Sequence, residues 1–183
     1  MTNVTYIALL RGINVGGHNV KMDLLRGLFG DLGFDHVRSY IQTGNVFFES
    51  SEHDTRILRT TIERHLRTAL GYEVATCVRT VQGVEQLLTL DPFSGLSVTP
   101  DIRLAVTFLA EPVIATLPMP YLTPDGAFEL IGMTSTELFV VWHLQNGRPG
   151  ASYNLFEKHF AVPATTRFWH TTAKILAAAK ESR

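Results

Sequence analysis

The chain has 183 residues, enough for one domain with a sizeable core or for two small lobes, and 45% of them are hydrophobic, an ordinary globular share that argues against disorder. Its 16 basic and 17 acidic side chains leave a net charge of −1, so no bulk electrostatic case for nucleic acid follows, though a local basic patch stays open. One cysteine, Cys77, excludes an internal disulfide and a cysteine-built zinc site; no run reaches the roughly 18 apolar residues of a membrane span, residues 1–10 carry no leader pattern, and a soluble, cytoplasmic protein off the membrane is expected.

Val4 to Leu10 is apolar except for Thr5 and does not alternate, which predicts a central strand covered on both faces. Arg11-Gly12-Ile13-Asn14-Val15-Gly16-Gly17-His18-Asn19 follows, and its glycines free the backbone to turn N–H groups inward. From Met22 to Leu32 apolar residues recur at helical spacing, with Gly33 placed to end the helix. His36 to Gln42 and Asn45 to Ser50 read as a hairpin whose turn uses Gly44 at positive φ. Asp54 caps a helix with Leu58, Ile62, Leu66 and Ala69 on one face and Gly71 at its end; Tyr72 to Arg79 returns as a strand holding Cys77, an inert buried thiol.

Tyr6 to Gly17, then Met22, Leu24-Leu25, Gly33-Phe34 and Val37 to Val46, resemble the bacterial family called domain of unknown function 1697. The likeness runs nearly the whole chain, through Thr165-Thr166-Arg167, Trp169, Thr171 and Lys174, but the family pattern carries Asn at the positions of Phe168 and His170. The family has no established activity, so the resemblance implies an α+β fold and lends no catalytic residue.

The order β-α-β-β-α-β through residue 79 is the ferredoxin-like split arrangement. Thr80 caps a short helix, and residues 91–100, rich in Pro, Gly and Ser, read as a linker between a first half, 1–90, and a second, 101–183. In the second half Ile102 to Leu109 is a strand, a short helix follows Pro112, Phe128 to Met133 and Glu137 to His143 form a hairpin, Gln145 to Gly150 a turn, and Tyr153 to Phe160 a helix. The last helix carries Phe168, Trp169, Thr172, Ala173, Ile175, Leu176 and Ala179 on one side and Arg167, His170, Thr171 and Lys174 on the other. The fold expected is therefore α+β, two ferredoxin-like halves packed as one compact unit, the second incomplete because it ends in a helix where the first has a strand.

Gly12-x-x-x-Gly16-Gly17 fits neither the dinucleotide fingerprint nor a Walker loop. What it predicts is binding of a small anionic or phosphorylated ligand, nucleotides included. Arg11 and Lys21 would neutralise charge, amides around Gly16 and Gly17 would hold the anion, and Asn14 would orient it; His18 lies among them. Gln42, Thr43 and Asn45 come from the hairpin turn, and Arg167, His170 and Lys174 would complete the site from the last helix. The antiparallel pairing of the first and third strands is taken to set the end of the first against the far end of the third, so Arg11 and Asn45 would converge only if a loop folds over or the other lobe bridges them. The bland alternative is a tight strand-to-helix connection. Two rival functions are an RNA-binding sheet, suggested faintly by Thr43 to Phe48, and an interaction protein acting through strand edges. No Gly-x-Ser-x-Gly elbow occurs and the seven histidines form no zinc-helix pair, so no catalytic residue, metal or cofactor is assigned.

Overall fold

A computed structural model of the chain describes residues 3–114, 117–148 and 155–181. They form a mixed α+β structure with two antiparallel sheets and five helices among the described residues. Contacts divide the chain into two units, Met1–Leu87 with Lys174–Arg183, and Leu88–Ala173, so residues 91–100 fall inside the second.

In the first unit β1 (Val4–Leu10), α1 (Met22–Gly30), β2 (Asp35–Tyr40), β3 (Asn45–Ser50), α2 (Thr55–Leu70), β4 (Thr76–Thr80) and all but the last two residues of α3 (Val81–Thr89) follow in order. The sheet order is β2-β3-β1-β4, which makes β1 central as its unbroken apolar run requires. Tyr6, Ala8 and Leu10 project from one face of β1, beside Val46 and Phe48 of β3, onto Leu25 and Phe29 of α1 and Leu58, Ile62 and Leu66 of α2. The period of two on the strands and of about four on the helices builds this core, each fully buried side chain contributing roughly 1.5–3 kcal/mol. Ile7, Leu9 and Cys77 are buried as well.

Local chemistry sets the ends of α2: Asp54 Oδ1 accepts from the amides of Arg56 (2.8 Å) and Ile57 (3.4 Å), and Gly71 closes the helix at φ 81°. Helix α1 stops at Gly30, two residues short of the expected end, where Gly33 donates to the Gly30 carbonyl at 2.8 Å. Strand β2 ends at Tyr40 because Ile41 turns to φ 51°. Oγ1 of Thr80 accepts from Gly83 N–H at 2.9 Å at the start of α3.

The second unit holds β5 (Ile102–Leu109), β6 (Tyr121–Leu122), β7 (Phe128–Met133), β8 (Glu137–His143), α4 (Leu155–Phe160) and β9 (Ala164–Phe168), and then the start of α5 (Trp169–Lys180). Its sheet runs β6-β7-β8-β5-β9 around a core of Leu109, Phe128, Leu130, Leu138, Val140, Phe156 and Phe160. Strand β9 corrects the expected ending. Arg167 and Phe168 are not the first turn of the last helix; Arg167 pairs with Val106 and Phe168 with Ala105 along β5, and the Thr107 and Thr166 hydroxyls meet at 2.8 Å. Successive β-branched threonines favour that extended backbone, so the second unit too has a strand after its helix, and only Trp169 onward is helical.

Positions 115 and 116 of the helix expected after Pro112 lie outside the described residues, and its described flanks are not helical. Also outside are residues 149 and 150 of the predicted turn and residues 153 and 154 of the predicted helix. No helix among the described residues is long and apolar enough to cross a membrane.

Candidate functional site: the glycine loop

Strand β1 is anchored at its end on both sides. Leu10 N–H donates to the Gly44 carbonyl and Arg11 N–H to the Ala75 carbonyl, each at 2.8 Å. The chain then bends through Gly12 at φ 60°, and Val15 N–H returns to the Gly12 carbonyl at 3.1 Å. Ile13 dips into the core at 1% exposure, while Val15 stands 69% exposed. Gly16 and Gly17 continue at φ 71° and 92°, in the left-handed region glycine favours. Both are exposed, and among the described residues their amides form no hydrogen bond. Val20 re-enters the core, and exposed Lys21 occupies the N-cap of α1 without a side-chain cap bond.

Asn14 closes this loop. Its Oδ1 accepts from Val20 N–H at 2.6 Å, and its Nδ2 donates to the Val20 carbonyl at 3.3 Å and to the Gln42 carbonyl at 3.0 Å. The side chain expected to orient a ligand is therefore engaged in holding the loop's two ends and the β2–β3 turn together. His18 lies flat on Tyr72, ring centroids 3.7 Å apart and planes 19° apart, and the Tyr72 hydroxyl donates to the Ile13 carbonyl at 3.1 Å. Burial pushes the Tyr72 phenol above its ordinary value. Nothing in local sequence points to Tyr72 as the loop's support, because its partners are 54 and 59 positions away.

The turn before β3 does meet the end of β1, which corrects the expected separation. In an antiparallel pair the end of one strand lies opposite the beginning of its neighbour, and here Leu9 pairs with Asn45. Gly44 sits against β1 at φ 76°; a Cβ there would come 2.8 Å from Ile13 Cγ2 and 2.9 Å from Leu10 Cβ. Asn45, expected among the ligand-facing residues, is fully buried, its Nδ2 donating to the Tyr40 carbonyl (3.1 Å) and to Thr43 Oγ1 (3.0 Å). It shapes the turn. The exposed Gln42 enters through its main-chain carbonyl.

Among the C-terminal candidates, Arg167 is 9% exposed in β9 and donates to Thr165 Oγ1 at 2.8 Å and the Thr166 carbonyl at 3.0 Å. Exposed His170 stacks against Phe168 at 5.9 Å in the second unit, and Lys174 is exposed on the part of α5 that belongs to the first. No group of three or more His, Cys, Asp or Glu capable of holding a metal ion occurs among the described residues.

A family model described as "Protein of unknown function (DUF1697)" matches residues 3–134. Among solved structures, the chain is similar to the conserved bacterial protein SP0830 from Streptococcus pneumoniae, with 25% identity and a TM-score of 0.71 over 98% of this chain and 100% of that one. No curated protein matches the chain.

Proposed function

The chain belongs to the family described as "Protein of unknown function (DUF1697)", and we propose that its glycine loop binds a small anionic or phosphorylated ligand, nucleotides included. The observation that carries this reading is the pair of exposed Gly16 and Gly17 amides, unbonded among the described residues, on a loop that Asn14 holds closed. Unused, solvent-exposed N–H groups are the donors an anion takes, and the start of α1 adds favourable charge. Lys21 and Arg11 supply the cations; Asp23, in the first turn of α1, opposes them but is paired with Arg26. The proposal stands on first-unit residues alone.

Gly16 and Gly17 make an unusually clean test, because a Cβ at either meets nothing within 4 Å. Alanine there perturbs the amides and their φ with no clash in the core. Thermal-shift screening over inorganic phosphate, sugar phosphates and nucleotides should find a ligand that stabilises the protein by roughly 2.7 kcal/mol at 100 times its Kd. Gly16→Ala and Gly17→Ala should lose that shift while keeping the fold. Stabilisation that survives both substitutions would remove the loop from the site.

An RNA-binding sheet gains no support: Tyr6 and Phe48 belong to the helix-covered core, and Arg38 lies over the Phe47 ring. Strand-edge association fares no better at β2, where the register breaks between Asp35 and Arg38 and His36 turns to φ 51°, a way of blunting an edge. Within the proposal the two sheets are also variants of one ferredoxin-like plan. In support, the order β2-β3-β1-β4 recurs as β7-β8-β5-β9, with β6 added outside β7.

A further inference from the structure

Edge strand β2 borders a cavity of about 430 Å³ in the first unit, walled by Arg26 of α1, by Arg38, Ser39 and Tyr40 of β2, by Phe47 of β3 and by Glu181 after α5. A second hollow of about 520 Å³ shares Val37, Arg38 and Glu181 with it. Spaces of this size accept small molecules.

Positive charge and hydrogen-bond donors dominate the first cavity. The Arg38 guanidinium rests 5.3 Å from the centre of the Phe47 ring and donates to the Ala178 and Ala179 carbonyls at 2.9 Å each. Those bonds fix its plane, yet the helix end supplies only partial negative charge. Arg26 donates to Ser39 Oγ at 2.6 Å and pairs with the exposed carboxylate of Asp23. The Ser39 hydroxyl hydrogen and the Tyr40 phenol meet no acceptor among the described residues. Glu181, exposed, is the acidic side chain on the wall.

We propose that this cavity is a second binding site, separate from the glycine loop, for a small molecule carrying an oxyanion, either carboxylate or phosphate. Arg26, joined to Ser39 on the helix-covered side of β2, and Arg38, over Phe47 on its other side, border it with charge, and the Ser39 and Tyr40 hydroxyls add donors from the two sides of the strand's open edge. An oxyanion presents the acceptors that these groups lack, and a guanidinium held in one plane loses little freedom on binding.

The test is a titration of the ¹⁵N-labelled full chain with succinate and, separately, with inorganic phosphate at fixed ionic strength. It follows the Arg Nε–Hε signals and the Ser39 and Tyr40 amides. Saturable shifts at Arg26, Arg38, Ser39 and Tyr40 are expected, and the tighter of the two anions identifies the ligand chemistry. Arg26→Gln and Tyr40→Phe should each weaken binding about tenfold, the scale of one charge-assisted hydrogen bond. Arg26 has 36% side-chain exposure and Tyr40→Phe removes one hydroxyl, so both variants should keep the native spectrum. The proposal is overturned if neither anion moves those four residues, if phosphate moves only Gly16 and Gly17, or if both variants bind as tightly as the parent.

Discussion

Gly44→Ala should damage the fold far more than alanine at the exposed glycines, because Gly44 is where the β2–β3 turn packs against the end of β1. Two costs add. A side chain at φ 76° pays the left-handed penalty of about 1–2 kcal/mol. Its Cβ would also lie 2.8 Å from Ile13 Cγ2 and 2.9 Å from Leu10 Cβ. Ile13 and Leu10 are 1% and 0% exposed, so neither can swing away, and overpacking of this kind costs about 1–3 kcal/mol. The sum is about 2–5 kcal/mol, which at about 2–4 °C per kcal/mol for a chain of this length lowers Tm by roughly 4–20 °C. Gly16→Ala and Gly17→Ala meet no neighbour within 4 Å and carry only the backbone cost of about 1–2 kcal/mol each. Differential scanning calorimetry of the three variants checks the ordering. A Gly44→Ala protein melting within about 2 °C of the parent, or no worse than Gly16→Ala, would refute the close approach.

Removing the Asn14 clamp by Asn14→Ala deletes three hydrogen bonds and should cost about 2–4 kcal/mol, with faster hydrogen exchange at Val20 N–H; unchanged exchange there would remove Asn14 as the brace. Asp54→Ala leaves the Arg56 and Ile57 amides uncapped and should cost about 1 kcal/mol in urea denaturation, and a neutral result would show that the cap contributes nothing. Tyr6 and Tyr72 should ionise above the ordinary phenol value in an ultraviolet absorbance titration. Burial raises both phenols, and the Glu52 carboxylate adds to the rise at Tyr6. The folded state then keeps these protons after the unfolded chain has lost them. Their contribution to stability is complete below the unperturbed phenol value near 10 and declines as pH climbs through the folded values. Urea midpoints measured from pH 9 to 11 should fall, and Tyr6→Phe with Tyr72→Phe should flatten that fall; an equal slope in the double variant would assign the loss elsewhere.

Legibility in the sequence followed the range of the forces involved. Helix α2 could be read residue by residue because Asp54, the Leu58-Ile62-Leu66 stripe and Gly71 act on their own neighbours. Positive φ at Gly12, Gly16, Gly17 and Gly44 was legible for the same reason. Strand β9 was not: Thr165 to Phe168 becomes a strand by pairing with β5, about 60 positions earlier, while the apolar spacing of α5 extends back over Phe168 and imitates a longer helix. Asn14 reads in the sequence as a ligand-orienting side chain, and its bonds to Val20 and the Gln42 carbonyl are not foreseen there. The carbonyl at position 42 is one that the misjudged sense of the β1–β3 pairing had placed out of reach.

The same clamp bears on how a loop so rich in glycine would hold the proposed anion. Flexible glycines lose the most backbone entropy on ordering, and a loop that a ligand must first organise binds weakly for that reason. Here much of the ordering belongs to folding: Asn14 joins the loop's ends, Tyr72 supports Ile13 and His18 from beneath, and Gly44 fits against Leu10 and Ile13. Gly16 and Gly17 are left as the exposed remainder of a bend whose flanks are fixed. Loosening it should therefore weaken anion binding before it melts the protein, so Asn14→Ala measured below its Tm should lose phosphate affinity while β1 and α1 keep their hydrogen-exchange protection.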